Sequence, residues 1–405
     1  MQRSHIVRPA AGFWGLVVFM PVGVNYAALL LLLIALGVAG DWRERVARVR
    51  ASPLWWPVLA YVAWTLIVLA LMPHYPQTPS NLWHGLRIAL TILMALALTR
   101  DEALWALRAF LAMALLNIVL TALYFTVGLP RLPPWRDVFW LHGNKSISNA
   151  LLYTVLGATA ATWGLMQLLR HRIYLALAGF AITGATLTIV NFNLPSRTSL
   201  LALLVALLGA CLHQWRGRLK LLVAAVLAIS TLAGVVVWRE PAVQQKFEQG
   251  AREIEAARGG AVSEGSWVVR YYMYTETARM IVEKPLAGWG IGAWNSEWRK
   301  RGPPLLADYN MPHNDFLWMG AQAGIPGFVS LLVVLLAAVW QAWRRDDMTG
   351  RYAFVATLIL LVATSVNSAT RDAAIGLSLL WVAMVYLRLA SEAGEPWEAL
   401  VPEKG

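Results

Sequence analysis

The sequence has a single cysteine and few charged residues. Cys211 lies in an apolar run, so the chain builds neither a disulfide framework nor a thiolate metal site. Charged residues make up 14% of the 405 positions and hydrophobic residues 59%, and the mean hydropathy is +0.56. The chain also lacks an internal repeat, a low-complexity segment and a nucleophile elbow. These absences exclude a disulfide-rich secreted protein and a soluble enzyme, and they favour a protein that spans a membrane many times.

Apolar segments of near-spanning length recur along the chain, and each needs about 20 residues to cross the hydrocarbon layer. They predict twelve membrane-spanning helices, at 11–22, 24–40, 54–72, 82–99, 103–128, 147–168, 173–190, 198–213, 219–238, 314–343, 352–367 and 373–390. Pro21-Val22-Gly23 leaves an alternative open, because a kink in one long helix there would replace the first two spans. The predicted fold class is all-α, with nine spans in residues 1–238 and three in residues 313–390.

The net charge of +12 suggests nucleic acid as a partner in a soluble protein, but here the basic residues lie mostly in short loops between apolar runs. If the N-terminus is cytoplasmic, the inner loops hold most of the lysines and arginines, as the positive-inside rule requires. We therefore predict no nucleic-acid partner, both termini in the cytoplasm and residues 391–405 as a cytoplasmic tail. The outer basic residues stand out against this rule: Arg131, Arg136, Lys145, Arg197, Arg270 and Arg371.

Residues 239–312 form one long polar segment on the predicted outer face. Residues 241–257 are rich in helix formers with charges spaced for i to i+4 pairing, and Gly259-Gly260 ends this helix. A second helix is predicted from about Ser266 to Glu283, because Pro285 cannot continue it. The sequence thus predicts an outer loop domain with two or more helices.

A histidine lies where this polar segment meets the tenth span, in residues 311–317 (MPHNDFL), shortly before residues 323–327 (AGIPG). A lone histidine is more often structural than functional. An outer-face imidazole is nevertheless largely neutral at neutral pH and accepts a proton from a sugar hydroxyl, so His313 is the candidate base. Asn314 or Asp315 is the candidate group that fixes its tautomer.

The outer basic set suits a pyrophosphate, because a guanidinium donates in a fork that fits phosphate oxygens. For Arg197 the structural alternative is snorkelling to the lipid head groups, and for Arg270 it is a solvated helix face. Aromatic residues of the outer segment, Tyr274 among them, either anchor the interface or stack on a sugar. No acidic residue occurs in residues 21–25, the first outer loop, so the ligands of metal-dependent membrane glycosyltransferases are missing there.

These residues resemble the O-antigen ligase family, in the wider group that holds O-antigen polymerases and bacterial O-oligosaccharyltransferases. The resemblance covers the architecture of nearly the whole chain. It is sharpest at Ser196-Arg197, at residues 285–292 (PLAGWGIG), and at residues 313–317 (HNDFL) running into residues 324–327 (GIPG). Family members often carry a glutamate shortly before the last element, where this chain has Gln322.

The resemblance implies a bacterial inner-membrane glycosyltransferase of lipopolysaccharide biosynthesis whose outer loop and active site are periplasmic. It gives pyrophosphate binding to Arg197 and Arg270, and activation of the acceptor to His313. The implied donor is a glycan on undecaprenyl pyrophosphate and the implied acceptor is the lipid A-core, with membrane lipids around the chain and neither metal nor cofactor. The further candidate substrate-binding residues are Arg131, Arg136, Lys145, Asn314, Tyr274 and Arg371.

Three alternatives stay open. A polymerase or a protein O-oligosaccharyltransferase of the same superfamily would share the donor and differ in the acceptor. A transporter of lipid-linked substrates belongs to a different class, and polar groups at mid-membrane would favour it.

Overall fold

The computed structural model describes residues 3–128, 143–239 and 241–391. Within these ranges all regular structure is helical, which confirms the all-α prediction. The first ten helices are α1 (Val7–Val17), α2 (Val22–Val38), α3 (Trp42–Ala51), α4 (Trp55–Leu71), α5 (Thr78–Ala97), α6 (Arg100–Val127), α7 (Gly143–Leu169), α8 (Ile173–Thr188), α9 (Arg197–Trp215) and α10 (Leu219–Arg239). The remaining helices are α11 (Pro241–Arg258), α12 (Ser266–Glu283), α13 (Ala293–Arg301), α14 (Asp315–Trp343), α15 (Met348–Val366), α16 (Ala373–Ile375) and α17 (Trp381–Ala390).

Each of the twelve predicted spans coincides with a helix. In the described part of the chain, seven helical stretches are long and apolar enough to cross a membrane: Arg100–Val127, Lys145–Leu169, Ile173–Asn193, Arg197–Trp215, Asp315–Trp343, Met348–Val366 and Ala373–Ala390. Two of these contain a π-helical turn, at Ile189–Asn193 and at Gly376–Leu380. Helices α2 and α3 meet at 114° and together form one more candidate. The architecture is that of a polytopic membrane protein, and the number twelve stays a prediction.

Helices α1 and α2 are separate. Helix α2 packs along α1 and also reaches the 3-10 turn that precedes it, so the two helices form a hairpin rather than one kinked rod. The side chain of Asn25 holds the turn, because its amide nitrogen lies 3.1 Å from the carbonyl oxygen of Val17 and 3.0 Å from that of Met20. Pro21 stands directly before the first helical residue of α2, where a missing N–H costs nothing.

The polar segment between α10 and α14 contains three helices. Helices α11 and α12 match the two predicted ones closely. Helix α13 was not predicted individually, because it is short and polar. Glu253 of α11 accepts a hydrogen bond from the backbone N–H of Trp267 at 3.3 Å, so the first turn of α12 is anchored to α11.

Helix α14 is interrupted at Ala323 and Gly324, where the backbone leaves helical geometry. The glycine-rich run fills the gap: the N–H groups of Trp289 and Gly290 donate to the carbonyls at positions 321 and 322, and Ile325 donates to the carbonyl at position 285. The side chain of Gln322 accepts from the N–H of Gly292 at 2.6 Å. The motif therefore has a structural role: it supplies hydrogen-bond partners for a broken span.

Gly324→Ala is expected to destabilise the protein by about 2–5 kcal/mol, through a glycine-only backbone conformation and overpacking. Gly324 has φ +69° and ψ −172°, and a Cβ there would lie 2.3 Å from the carbonyl oxygen of Leu286. Thermal unfolding in detergent measures the effect. Gly184→Ala is the control, because a Cβ at this helical position meets no atom within 4 Å. An equal unfolding temperature for the two variants would contradict the proposed packing.

Candidate active site

His313 lies at the entrance to α14 in a strained backbone conformation. Asn314 caps the helix, since its Oδ1 accepts the N–H of Leu317 at 3.0 Å. His313 immediately precedes this cap and has φ +54°, a left-handed conformation that residues with a Cβ rarely adopt. Such strain persists where the surrounding structure enforces it, and it is concentrated at functional sites.

The imidazole ring of His313 is oriented by Asn367, at the end of α15. His313 Nδ1 and Asn367 Oδ1 are 3.2 Å apart, and the same oxygen accepts the N–H of Ser368 at 2.9 Å. The second bond fixes the amide so that its oxygen faces the ring, and Nδ1 must then carry the proton. The lone pair of Nε2 is left to accept a proton. The contact to Nδ1 thus comes from Asn367, and the expectation that Asn314 or Asp315 makes it was wrong.

Two arginines lower the proton affinity of this ring. Burial is the main cause that lowers the pKa of His313 below its ordinary value, and the hydrogen bond with Asn367 opposes it. The positive charges of Arg270 and Arg371 lower the pKa further, against the negative charge of Asp372. A buried ring beside cations is neutral at pH 7. His313 therefore has the protonation state and the tautomer that a general base needs.

Helix α12 brings Tyr274 and Arg270 to the histidine. The hydroxyl of Tyr274 donates to the backbone carbonyl of His313 at 3.0 Å, which ties α12 to the entrance of α14. Arg270 lies one turn earlier on the same helix. Burial lowers the pKa of Arg270, and the nearby charge of Arg197 contributes in the same direction. The two guanidinium groups that the sequence selected are therefore close to one another.

Arg197 begins α9, whose first turn is capped by Ser196. Its guanidinium lies 3.3 Å from Ser266 Oγ and 5.9 Å from the centre of the Trp267 ring. Neither Arg197 nor Arg270 forms an ion pair with a carboxylate anywhere in the described ranges. Two neighbouring cations without a counterion form a site to which an anion with several oxygens is attracted.

Arg371 lies in the turn between α15 and α16, near enough to His313 for its charge to act on the ring. The guanidinium lies 5.9 Å from the centre of the Trp318 ring. Asp315, which is fully buried, accepts the backbone N–H and the hydroxyl of Thr370, both at 2.6 Å. The turn that carries Asn367 and Arg371 is therefore held against the start of α14.

The other predicted substrate residues have varied surroundings. The ammonium group of Lys145 lies 3.3 Å from the carbonyl oxygen of Val18, at the α1–α2 turn. The amide nitrogen of Asn314 donates to the carbonyl of Ser365 at 2.7 Å, so both ends of this side chain bind the protein itself. Arg131 and Arg136 lie outside the described residues. Substrate roles for these residues stay predictions.

Sequence reasoning missed Asn367 and Arg87. The polar run of residues 367–372 (NSATRD) between two apolar spans is the signal that marks Asn367. Arg87 lies inside an apolar helix and is 1% exposed, and it donates to three carbonyls of the same turn, at residues 370–372. An arginine in an apolar run is itself a signal, because it requires buried acceptors.

A family model described as O-Antigen ligase matches residues 182–332. This range contains Arg197, Arg270, His313 and the broken start of α14. A search of curated proteins gave no match. The match confirms the resemblance seen in the motifs, and it indicates a glycosyltransferase-like membrane enzyme that acts on lipid-linked glycans. Residues 182–332 are therefore similar in sequence to the O-antigen ligase superfamily.

Proposed function

We propose that the protein is an O-antigen ligase, which transfers a glycan from undecaprenyl pyrophosphate to a sugar of the lipid A-core. One observation carries the proposal. His313, held neutral with Nε2 available, lies next to a pair of arginines that have no carboxylate partner in the part of the chain that is described. A base beside a cationic site for an oxyanion is what transfer from a lipid pyrophosphate requires.

In the proposed reaction, Nε2 of His313 takes the proton of the attacking sugar hydroxyl. The hydroxyl oxygen bonds to the anomeric carbon while the bond from that carbon to the pyrophosphate oxygen breaks. Arg197 and Arg270 bind the pyrophosphate and stabilise the negative charge that grows on the leaving group. No enzyme nucleophile takes part, so a single displacement inverts the anomeric carbon.

The same proposal includes an orientation. The distribution of basic residues favours a bacterial inner-membrane protein with cytoplasmic termini and residues 239–312 in the periplasm. His313, Arg270 and Arg197 would then lie on the periplasmic side, where the lipid-linked donor and the lipid A-core meet. Cysteines placed singly in residues 239–312 and near the termini, and labelled by a membrane-impermeant thiol reagent, test this orientation.

A polymerase of the same superfamily, or a protein O-oligosaccharyltransferase, has the same donor chemistry and another acceptor. The deciding experiment incubates the purified protein with undecaprenyl-pyrophosphate glycan and offers lipid A-core, free glycan or protein. Transfer to lipid A-core supports the ligase. Transfer to free glycan supports the polymerase instead, and transfer to protein supports the O-oligosaccharyltransferase. Movement of the donor across proteoliposomes without transfer would support the transporter instead.

The pH dependence of transfer follows from the lowered pKa of His313. A base works when neutral, so the rate falls only as the pH drops through its pKa, and we expect the half-maximal rate below the ordinary histidine value of about 6.5. Arg270→Gln removes a charge that lowers this pKa, so its acid limb moves to higher pH. Profiles of kcat at saturating substrate measure both. A wild-type rate that is half-maximal above the ordinary histidine pKa of about 6.5 would contradict the assignment of His313 as the base.

Transfer is expected to persist in an excess of a strong chelator. In the proposed site the positive charge that a metal ion supplies in other glycosyltransferases comes from Arg197 and Arg270. Initial rates with and without chelator measure the effect, and they should agree within about twofold. A loss that a divalent ion restores would remove the metal-free mechanism.

A further inference from the structure

The Arg371 side chain is buried and uncommitted. It is 7% exposed, and its Nε has no hydrogen-bond partner. Among the described residues its guanidinium has neither a hydrogen-bond acceptor nor an ion-pair partner. It lies over the face of the Trp318 ring, in a cation–π contact. Buried donors without acceptors are costly, so a group held in this way is normally completed by water, an ion or a ligand.

The neighbouring charged side chains of Asp315 and Arg87 form hydrogen bonds with the turn of residues 370–372 and not with the Arg371 side chain. Asp315 accepts the N–H of Thr370 at 2.6 Å and that of Arg371 at 3.4 Å. From the other side, Arg87 donates to the carbonyl oxygens of Thr370, Arg371 and Asp372 at 3.0, 2.6 and 3.1 Å. The turn is thus clamped by a carboxylate and a guanidinium, while the guanidinium of Arg371 is kept available.

An aromatic surface borders the same clamp. Arg87 also donates to the hydroxyl of Tyr26 at 2.9 Å, and the indole N–H of Trp83 donates to that hydroxyl at 3.2 Å. Trp83 is 41% exposed as a residue, and His84 lies within electrostatic range of both Arg87 and Arg371. An exposed indole beside a cation is a surface on which a charged sugar stacks and pairs.

The two cationic groups lie on different elements, and both lie near His313. Arg270 on α12 has Arg197 as its charged neighbour, whereas Arg371 has Asp315, Asp372 and Arg87, and both arginines act on His313. In a direct displacement the attacking oxygen and the leaving group occupy opposite sides of the anomeric carbon. With the pyrophosphate at Arg197 and Arg270, the side of Arg371 is left for the acceptor.

We infer that Arg371, with Trp83 and His84 beside it, forms a subsite for an anionic group of the acceptor glycan, a phosphate or a carboxylate close to the attacking hydroxyl. The inference rests on the proposed function, because it takes the pyrophosphate to occupy the other arginines. It adds a substrate property: the acceptor is selected by its negative charge.

The test compares three acceptors with purified full-length protein: lipid A-core with its core phosphates, the same glycolipid after phosphate removal, and the same after reduction of its carboxyl groups. For the wild type, removing the recognised anion should raise KM for the acceptor by about 10-fold or more, the size of one charge-assisted contact. The arm that shows the loss identifies the anion. This comparison needs no substitution.

Arg371→Gln should raise KM for the anionic acceptor by a similar factor and leave KM for the donor unchanged. It should not raise KM for the acceptor whose recognised anion is missing. Arg279→Gln is the matched control, since Arg279 lies on α12 with a 64% exposed side chain and pairs with Glu276. Equal use of all three acceptors by the wild type would overturn the subsite, as would a rise in donor KM for Arg371→Gln.

Direct binding separates this inference from the proposed reaction. Calorimetry with the phosphorylated core oligosaccharide should show binding that Arg371→Gln weakens and Arg197→Gln keeps. That result, without any transfer by the wild type, would retain the subsite and reject the ligase. No binding by the wild type, or equal weakening in both variants, would reject the subsite itself.

Discussion

His313→Ala is expected to reduce glycosyl transfer by about 10²–10⁴-fold, the contribution typical of a positioned general base, and to leave donor binding within about twofold of the wild type. The two effects differ because different residues carry out catalysis and donor binding in the proposed mechanism. In the proposed mechanism, Nε2 of the imidazole contacts the acceptor hydroxyl, whereas arginines on α9 and α12 bind the pyrophosphate. Single-turnover rates and equilibrium binding of the lipid-linked donor measure the two effects separately.

Two further variants show whether such a loss comes from chemistry or from folding. His313→Gly removes the ring and also relieves the left-handed backbone, because glycine adopts φ +54° without strain. It should be at least as stable as His313→Ala and equally inactive. His74→Ala changes an exposed histidine whose ring contacts the carbonyl of Leu69, and it should retain full activity. Wild-type rates in His313→Ala would remove His313 as the base.

The sequence predicts the helices well because the membrane imposes one simple requirement. A spanning segment must be apolar over its length and must satisfy its own backbone, so composition alone marks the ends of α6, α9 and α15 to within about four residues. Helix α13 escaped prediction because its length is 9 residues and its composition is polar. Its two tryptophans, Trp294 and Trp298, stack at 5.5 Å and are fully buried, so tertiary packing and not local pattern stabilises it.

The site was predictable where a single residue type carries the chemistry. A histidine at the end of a predicted span and arginines on the predicted outer side are visible in the sequence, and the fold brings Arg197, Arg270 and His313 into one region. Which residue orients the ring was not predictable. Asn367 is 54 positions away from His313, and only the packing of α15 against α14 brings the two side chains together.

The break in α14 illustrates the same limit. Pro326 and two glycines interrupt an apolar run, which is compatible with either a kinked span or an intact one. The outcome depends on residues 285–292, whose N–H groups reach the carbonyls that the break exposes. The glycine-rich run of residues 285–292 thus serves a backbone-pairing role, because only glycine allows two chain segments to approach this closely.

Arg270→Ala is expected to weaken donor binding by about 10-fold and to lower kcat by a further 10²-fold or so, the cost of removing one oxyanion donor. Of the two paired arginines, Arg270 is the one whose charge lowers the pKa of His313. We therefore expect it to lie nearer the reacting atoms than Arg197. Its charge is needed most when the bond to the pyrophosphate breaks. Donor titrations and single-turnover rates at saturating donor separate the loss of binding from the loss of rate.

Arg270→Lys distinguishes charge from geometry. A lysine keeps the positive charge and loses the fork that contacts two phosphate oxygens, so it should recover part of the donor affinity and little of the rate. Arg279→Ala, on the same helix and paired with Glu276, should behave as the wild type. If Arg270→Ala raised the acceptor KM and left the donor KM unchanged, the pyrophosphate would have to lie elsewhere, and Arg371 would become the next candidate to bind it.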